Sequence, residues 1–480
     1  MSTQTTTAAE AGAFIHGAVH RNGGPPLPIT NPADGQMFIE VASATAGDVD
    51  AAVTSGREAF EAWSALAVSK RGELLAEGAQ RVREHIEELA PLLTREQGKT
   101  LRDSRIELKR AVETLEHYAG LSKALRGAFA PHLDPGTDGL VLRRPLGVVG
   151  AIVPWNFPTT LLCNKLGPAL VAGNTVVAKP ADTTPLTTLR FVELLGLPPG
   201  VVNVVTGTGS EAGEALVTHP DVRKVAFTGS TSTGERIMAL AANGTKRLTL
   251  ELGGSDPLII CEDADLAKAA SAASMGRFYN CGQACLAVKR VYVVDQVADE
   301  VIEAITAKAK KLRVGRGDAE GSQIGPLHTA RQRDLVDDQV SRSGGQLLCG
   351  GGPPDDPELG DGFFYMPTVV LDPPHDSPMA TEEVFGPALP IWRVRDLDEA
   401  IERSNASRYG LGSSVWTADL DRAREAAERL ECGYTWINSP TKVYDELPFG
   451  GVKSSGFGKE HGEEAFDYYT DSKSVVVRSA

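Results

Sequence analysis

Apolar and polar residues change their spacing several times along the chain, and each change predicts a different kind of element. Residues 15–39 alternate apolar and polar positions between glycines and prolines, which predicts short strands and turns. From residue 44 to about residue 125, apolar residues recur every three or four positions, which predicts helices. The clearest of these helical segments are 48–66, 70–85 and 86–97.

Strand-like and helix-like stretches alternate between Val148 and Val205. The predicted order is strand 148–153, helix 161–172, strand 175–179, helix 187–195 and strand 201–205. This order predicts a parallel sheet with helical crossovers, on which a ligand binds beyond the carboxyl ends of the strands. Residues 225–230 continue the series, and Ser230–Gly234 open the next helix.

A second α/β unit is predicted after Gly254. Its clearest segments are helix 266–278, strand 288–294, helix 297–312 and strand 367–371. The glycines and prolines around Cys349 predict an exposed loop, and residues 383–392 predict a turn into another strand.

Residues 127–144 predict a β-hairpin with its turn near Asp134-Pro-Gly, and Lys473–Arg478 predict a matching short strand near the end of the chain. An exposed strand edge of this kind needs covering. Packing on its own domain or pairing with a second subunit would each cover it.

Composition limits the classes of protein that fit. A chain of 480 residues is too long for one core and should form two or more domains. The net charge of −15 disfavours broad binding to nucleic acid or to an anionic membrane, since both require a basic surface. It leaves room for a local basic site for a phosphate-bearing cofactor.

The N-terminus and the cysteines favour a cytoplasmic location. Residues 1–12 are small and polar, which predicts a flexible tail without a secretion signal, and no apolar run is long enough to span a bilayer. The six cysteines are scattered, as in a reducing compartment. Cys281 and Cys285 form a C-x3-C pair that lacks further ligands, so we expect no metal, while a reversible disulfide between them is a minor alternative.

Three stretches carry residues suited to acyl chemistry. Cys285 ends the stretch Phe278-Tyr-Asn-Cys-Gly-Gln-Ala-Cys285, at a turn before a β-rich run, where its thiolate would be a strong nucleophile. Glu251 precedes a Gly-Gly pair at the end of a strand-like run, and Asn156 lies between prolines and aromatic residues. A thiol, a carboxylate and a stiffly held amide supply a nucleophile, a base and an oxyanion stabiliser.

Each of these residues also has an ordinary structural interpretation. A free cysteine is usually a small buried hydrophobic residue. Glu251 could be a strand-end carboxylate in a salt bridge, and Asn156 could be a turn amide bonded to local backbone. None of the nine histidines lies in these stretches, so Glu251 is a better candidate base than any histidine.

These stretches resemble the signatures of the aldehyde dehydrogenase superfamily, Phe-x-Asn-x-Gly-Gln-x-Cys and Leu-Glu-Leu-Gly-Gly. The first signature is matched by Phe278, Asn280, Gly282, Gln283 and Cys285. Other stretches match the family's motifs in the family's order, namely Pro154-Trp-Asn-Phe-Pro, Lys179-Pro-Ala-Asp, Phe227-Thr-Gly-Ser-Thr, Glu382-Glu-Val-Phe-Gly-Pro387 and Pro448-Phe-Gly-Gly-Val-Lys-Ser-Ser-Gly456.

The resemblance implies an α/β fold with a Rossmann-type cofactor domain, an α/β catalytic domain and a β oligomerisation arm. The implied boundaries are 1–125 and 147–253 for the dinucleotide-binding domain, 254–453 for the catalytic domain, and 126–146 with 454–480 for the arm and C-terminal segment. In this family the hairpin pairs with another subunit, so a homodimer or homotetramer is expected.

The resemblance also implies oxidation of an aldehyde to a carboxylic acid with NAD or NADP. Cys285 would form a thiohemiacetal and then a thioester, while the Asn156 amide and the Cys285 N–H would hold the oxyanion. Glu251 would activate the water that hydrolyses the thioester. Lys165 matches a family lysine linked to proton relay, although a lysine on a helix is normally a solvated charge.

The cofactor-binding residues are carried over in the same way. Loops 207–213 and 229–234 lack the usual G-x-G-x-x-G fingerprint, and the second is the better anion site because it opens a helix. The implied set is Trp155, Lys179, Asp182, Gly209, Gly213, Phe227, Gly229, Ser230, Thr233, Gly234, Leu252, Glu383 and Phe385. Lys179 and Glu383 would hold the adenine and nicotinamide riboses, and their ordinary alternative is a surface ion.

Asp182 stands where many NAD-using members carry glutamate. Its carboxylate should repel a 2′-phosphate, which favours NAD, although aspartate is shorter and NADP stays open.

Two alternatives remain at this stage. A CoA-acylating member would pass the thioester to CoA, but such members lack the glutamate that Glu251 matches. A non-catalytic nucleotide-binding or structural protein on the same fold is disfavoured by the intact Cys285, Glu251 and Asn156. The aldehyde is not identified, and its tunnel is expected near Phe157, Cys163, Asn164, Phe278, Leu286 and residues 438–444.

Overall fold

The computed structural model describes residues 12–479 of the chain. The tail predicted at residues 1–12 lies outside this range, apart from Gly12, where the first strand begins. The predicted strands and turns of 15–39 are confirmed as two antiparallel hairpins. Their strands are β1 (Gly12–Ile15), β2 (Ala18–Arg21), β3 (Pro26–Asn31) and β4 (Gln36–Ala42).

The helical prediction for residues 44–125 is also confirmed. The helices are α1 (Ala46–Ala65), α2 (Val68–Glu84), α3 (Ile86–Gln97) and α4 (Leu101–Leu121). Thr45 begins α1 with a capping box, because its side chain accepts from the Asp48 N–H while the Asp48 carboxylate accepts from the Thr45 N–H. Gly98 ends α3 at φ 101°, a conformation that favours glycine.

The predicted hairpin consists of β5 (Ala128–Asp134) and β6 (Thr137–Pro145). The terminal strand β22 (Thr470–Arg478) pairs with β6 from Thr470–Pro145 to Arg478–Thr137, so it is longer than predicted. The result is a three-stranded sheet in the order β22-β6-β5. Apolar side chains of Phe129, Leu133 and Val476 are exposed on it.

The predicted β-α-β-α-β unit forms the first large sheet. Its elements are β7 (Val148–Ile152), α5 (Pro158–Ala172), β8 (Thr175–Lys179), α6 (Pro185–Leu195), β9 (Val202–Val205), α7 (Glu214–Thr218), β10 (Val222–Thr228), α8 (Thr231–Ala242) and β11 (Arg247–Glu251). The five strands are parallel in the order β9-β8-β7-β10-β11. The order reverses between β7 and β10, and such a switch point is where open α/β sheets bind ligands.

The second α/β unit forms a seven-stranded sheet. Its elements are β12 (Asp256–Ile260), α9 (Leu266–Phe278), β13 (Val288–Val294), α10 (Asp295–Lys311), α11 (Ala330–Ser341), β14 (Gln346–Cys349), β15 (Thr368–Leu371), α12 (Pro378–Thr381), β16 (Ala388–Val394), α13 (Leu397–Asn405), β17 (Tyr409–Gly410), β18 (Gly412–Trp416), α14 (Leu420–Arg429) and β19 (Tyr434–Ile437). The strand order is β14-β15-β16-β13-β12-β18-β19.

The exposed loop predicted around Cys349 is wrong in part. Residues 346–349 are the edge strand β14, antiparallel to β15, while the glycines on either side form the turns. Pairing with a strand about 20 residues later overrides the local turn signal, as tertiary contacts often do for short edge strands.

The last described elements return to the first sheet. They are β20 (Val452–Lys453), β21 (Gly456–Phe457) and α15 (Ala465–Tyr469), and β21 pairs with β11 at the edge of the first sheet. Separate hydrophobic cores fill the faces of the two large sheets. No helix within residues 12–479 is both long and apolar enough to cross a membrane.

Asn174 ties together the elements around the start of β8. It is fully buried, and its Oδ1 accepts from the N–H groups of Leu146 and Gly147 at 2.7 and 3.1 Å. Its Nδ2 donates to the carbonyls of Ala169 and Tyr469 at 3.1 and 2.9 Å. The amide therefore joins the loop before β7, the end of α5 and the chain entering β22.

We expect Asn174→Ala to lower stability by roughly 3 kcal/mol, since buried backbone groups lose their partners and no water replaces the amide. Thermal unfolding followed by fluorescence should show a clear fall in Tm. Asn243→Ala, at the exposed end of α8, is the control and should leave Tm nearly unchanged. Equal shifts in the two variants would contradict this assignment.

Candidate active site

The turn before Cys285 has an unusual backbone. After α9 ends at Phe278, Asn280, Cys281 and Gly282 follow one another with φ of 48°, 55° and 72°. A Cβ at Gly282 would lie 2.2 Å from the carbonyl oxygen of Gly386, so only glycine fits there. The predicted turn is confirmed, and it leaves Cys285 partly exposed.

Asn280 and Gln283 hold this turn from inside. The Asn280 Nδ2 donates to the carbonyls of Asn156 and Gln283 at 3.1 and 3.3 Å. The Gln283 Nε2 donates to the Asn280 carbonyl at 3.1 Å, and its Oε1 accepts from the His328 N–H at 2.8 Å. The polar residues of the signature therefore fix the backbone that carries the thiol.

Asn156 is brought to the Cys285 loop. Its buried Nδ2 donates to the Gln283 carbonyl at 3.0 Å, so the amide bridges two distant loops and the local-turn interpretation is wrong. An amide nitrogen carries two hydrogens, and among residues 12–479 the Gln283 carbonyl is the one acceptor of this amide. This arrangement suits an oxyanion donor.

Lys99 and Glu107 hold the Asn156 loop, and the sequence analysis missed both. Their buried side chains pair at 2.5 Å, and the Lys99 Nζ also donates to the Asn156 carbonyl at 2.6 Å. The Glu107 Oε1 accepts from the N–H and the hydroxyl of Thr159 at 3.0 and 2.8 Å. Nothing in the sequence marks the pair, since charged residues before and on a helix are usually solvated.

A cation and several carboxylates act in opposite directions on the pKa of the Cys285 thiol. Burial raises its pKa to about 12, and the Glu251 carboxylate adds to this effect, whereas the Lys289 ammonium lowers the pKa. The Lys289 Nζ donates to the Cys285 carbonyl at 2.5 Å and pairs with Glu383 at 2.8 Å. The thiol is therefore protonated at neutral pH in this state.

Glu251 ends β11 and is 4% exposed. Neither carboxylate oxygen has a hydrogen-bond partner within residues 12–479, so the salt-bridge interpretation is wrong. Burial, with help from the nearby Glu460 carboxylate, holds its pKa well above the usual range, while Lys165 and Lys459 lower it. A Cβ at Gly450 would lie 2.6 Å from its Oε1, so the Pro448-Phe-Gly-Gly loop closes over the carboxyl group.

Lys165 on α5 is fully buried, so its interpretation as a solvated charge is wrong. Its Nζ pairs with the Glu460 Oε1 at 2.5 Å and donates to the Thr228 hydroxyl at 2.6 Å. The other Glu460 oxygen accepts from the Asn164 Nδ2 at 3.1 Å. Glu460 was missed because it lies in the C-terminal segment, where no motif marks it, and pairing between Phe449 and Glu460 brings it inward.

Lys179 ends β8 at the carboxyl edge of the first sheet, and Asp182 follows it. Lys179 is 4% exposed, so it is not a surface ion, and its Nζ donates to the Pro180 carbonyl at 3.0 Å. Burial lowers its pKa to about 8, while Asp182 raises it. The Lys179 stem lies against Gly213, whose Cβ would be 3.7 Å away, and a Cβ at Gly209 would meet only open space.

The second predicted cofactor loop opens α8. Ser230 caps the helix by accepting from the Thr233 N–H at 3.3 Å. A Cβ at Gly229 would lie 2.4 Å from the Phe227 ring, and one at Gly234 would lie 2.5 Å from Leu252. These glycines therefore allow Phe227 and Leu252 to pack beneath a helix N-terminus that favours anions.

Glu383 and Phe385 precede β16, and Trp155 follows β7. The Glu383 Oε1 accepts from Lys289 and from the Gly254 N–H at 3.2 Å, and its side chain is only partly exposed. Phe385 meets Trp155 edge-on at 5.6 Å between ring centroids. Trp155 stacks on His328 at 4.5 Å.

His328 is the histidine that the sequence analysis missed at this site. Burial lowers its pKa to about 4, so its ring is neutral at physiological pH. Its ring nitrogens contact the Gln97 carbonyl and the Thr183 hydroxyl at 3.1 and 2.7 Å. Both nitrogens are engaged, so it acts as a support for Trp155 and the Gln283 loop.

The residues predicted to line the substrate tunnel have mixed positions. Phe157 stacks on Tyr279 at 5.8 Å, and Leu286 is partly exposed. Cys163 and Phe278 belong to the hydrophobic cores of the two units, while the Asn164 side chain donates a hydrogen bond to Glu460. The tunnel stays a prediction.

Comparison with known proteins identifies relatives of this chain. The aldehyde dehydrogenase family profile matches residues 19–475. A mitochondrial aldehyde dehydrogenase of Leishmania tarentolae is 38% identical over 461 residues, covering 94% of this chain and 91% of the relative.

Two solved structures are similar over nearly their whole length. PnpE from Pseudomonas sp. WBC-3, also solved in complex with nicotinamide adenine dinucleotide, has a TM-score of 0.95 and 42% identity, covering 98% of each chain. An NADP-dependent enzyme of E. coli has a TM-score of 0.95 and 35% identity, covering 98% of this chain and 99% of the other. From its fold, its site and these relatives, this chain belongs to the aldehyde dehydrogenase family.

Proposed function

We propose that this protein oxidises an aldehyde to its carboxylic acid with NAD, through a thiohemiacetal and a thioester on Cys285. One observation carries the proposal. The Asn156 amide bonds to the backbone two residues before Cys285. The buried Glu251 carboxyl group has no hydrogen-bond partner within residues 12–479, and its charge raises the pKa of the Cys285 thiol. A nucleophile, an oxyanion donor and a base thus share one site.

In the first half-reaction, the Cys285 sulfur adds to the aldehyde carbon. The thiol proton passes to water, and Lys289 favours its loss because its ammonium lowers the pKa of that thiol. The new alkoxide accepts from the Asn156 Nδ2 and the Cys285 N–H, and one such donor is worth roughly 3–4 kcal/mol in the transition state. A bound dinucleotide would supply the hydride acceptor, and loss of the hydride from this adduct would leave the thioester on Cys285.

In the second half-reaction, water attacks the thioester. Glu251 takes a proton from that water, and the same two donors hold the second oxyanion. Its raised pKa makes Glu251 a stronger base than an exposed carboxylate. The buried Lys165–Glu460 pair tunes this base, because Glu460 raises the pKa of Glu251 and Lys165 lowers it.

The residues at the carboxyl edge of the first sheet fit a dinucleotide. The buried Lys179 ammonium has three N–H donors and one carbonyl acceptor, which leaves two donors for ribose hydroxyls. The open space at Gly209 and the N-terminus of α8 at Ser230 suit a pyrophosphate. Glu383 would accept from the nicotinamide ribose, and Asp182 beside Lys179 would disfavour a 2′-phosphate.

For assembly, we propose that the β22-β6-β5 sheet pairs with another copy of the chain. Its exposed Phe129, Leu133, Val476 and Val477 support this, because such apolar residues on a sheet need covering. Homodimer and homotetramer both remain predictions.

Cys285→Ala should abolish NADH formation from propanal or benzaldehyde, with a loss of at least about 10³-fold, because no other group can form the thioester. NADH absorbance measures turnover, and NAD titration by protein fluorescence should show that binding is retained. Cys349→Ala, on the edge strand β14, is the control and should keep its activity. A wild-type protein that binds NAD without turning over any aldehyde would contradict the proposal and favour a non-catalytic protein.

Glu251→Gln should stop the reaction after acylation. Stopped-flow absorbance should show about one NADH per site followed by turnover slowed by roughly 10²–10⁴-fold, because water lacks its base. Mass spectrometry should find the acyl group on Cys285. Glu262→Gln, at an exposed surface pair with Arg422, is the control. Steady turnover near the wild-type rate would assign the base elsewhere.

Asp182→Ser should improve the use of NADP relative to NAD. Removing the carboxylate removes its repulsion of a 2′-phosphate, which we expect to raise the ratio of the two kcat/KM values by about tenfold. Steady-state kinetics with each cofactor at a fixed aldehyde measures the ratio. Asp221→Ser, at the surface beside Arg57, should leave it unchanged. An unchanged ratio in Asp182→Ser would show that another residue selects the cofactor.

A further inference from the structure

A buried polar row runs along one face of the β10–β11 pair. The two strands are parallel, with Lys224 opposite Arg247, Ala226 opposite Thr249 and Thr228 opposite Glu251. Alternate residues of a strand share a face, so Lys224, Thr228, Thr249 and Glu251 lie on the same side of the sheet. Lys165 reaches Thr228 on this side, which places Lys224 in the row that ends at the proposed base.

Lys224 is an unexpected residue in this row. It is fully buried, and its Nζ donates to the Thr249 hydroxyl at 2.5 Å and lies 4.7 Å from the centre of the Tyr469 ring. These are its only partners among residues 12–479, and neither is a carboxylate. A buried ammonium without a direct counter-ion is costly, so its charge depends on the groups nearby.

The groups that face Lys224 include Lys165 and Glu460, which also act on Glu251. Burial lowers its pKa to about 7, and the Lys165 and Arg247 cations lower it further, whereas Glu460 raises it. Glu460 also acts on Tyr118 and Tyr469, and burial with the Glu460 charge raises the pKa of both phenols. Lys224 therefore changes its charge near neutral pH beside Glu460.

We propose that Lys224 is a positioning residue for thioester hydrolysis, acting through Glu460 and Lys165 on the protonation of Glu251. This rests on the proposed function of Cys285 and Glu251. With Lys224 charged, a third ammonium group joins those of Lys165 and Lys459 around the two carboxyl groups and favours their ionisation. Without that charge, the carboxyl groups keep their protons to higher pH, and Glu251 is lost as a base over part of the pH range.

The sign of the effect follows from the charge. An ammonium near a carboxyl group lowers the pKa of that group, so removing the ammonium raises it. The acid limb of kcat, where Glu251 must ionise, therefore moves to higher pH in a neutral variant. A purely structural role would lower kcat by the same factor at every pH and leave the limb in place.

The test is the pH profile of kcat for Lys224→Met, with NAD and propanal, measured by NADH absorbance. We expect the acid limb to move up by about one pH unit, so that kcat on the limb falls up to about tenfold and recovers at high pH. Stopped-flow traces on the limb should show a larger NADH burst than the wild type, because hydrolysis becomes slower than acylation.

Three variants separate charge from structure. Lys224→Gln is neutral but keeps a hydrogen-bond donor for Thr249, and it should reproduce the shift even if Lys224→Met does not fold. Lys224→Arg keeps a charge at every pH and should restore the wild-type limb. Lys246→Met is the matched control, since Lys246 donates to the Val222 carbonyl on the same sheet without facing Glu460.

The proposal would be overturned if the acid limb of kcat in Lys224→Gln superimposed on the wild-type limb, or if kcat fell by the same factor at all pH values. Either result would leave the proposed function intact. Failure of the proposed function would look different, because the wild-type protein itself would then form no NADH or no acyl group on Cys285.

Discussion

The hydrogen bonds between the Asn156 loop and the turn before Cys285 join the two α/β units of this protein. Asn280 and Gln283 come from the second unit, and Asn156 comes from the carboxyl edge of the first. The Asn156 amide donates to the Gln283 carbonyl, and the Asn280 amide donates to the Asn156 carbonyl. Neither loop can therefore shift without breaking a hydrogen bond to the other. Because Cys285 lies on one unit and Asn156 and Glu251 lie on the other, this junction sets the geometry of the whole site.

Buried charges support the junction and the base behind it. Lys99 with Glu107 holds the Asn156 loop, and Lys165 with Glu460 lies beside Glu251. Taking such pairs out of water costs several kcal/mol per ion, which close pairing and further hydrogen bonds offset. The same low dielectric raises the pKa of Cys285 and Glu251, so stability and reactivity come from one set of contacts.

Local patterns predicted most of the elements because their physics is local. Strand 175–179 and helix 266–278 have the predicted bounds, since strand-like and helix-like spacing each run between clear turn residues. The turn at Gly282 could be predicted as well, because glycine permits the backbone that Gly386 demands. Cys349 was misassigned for the opposite reason, because strand β14 exists only by pairing with β15.

The sequence by itself determined the family and the fold class, and it singled out Cys285, Asn156 and Glu251 as candidates, because these depend on residue types at short spacings. Only the tertiary structure decided which charges are buried and what each contacts. Lys99, Lys224, His328 and Glu460 look like ordinary surface residues in the sequence. Their role depends on burial and on partners far away in the chain. Both arise only when the sheets and the C-terminal segment pack together.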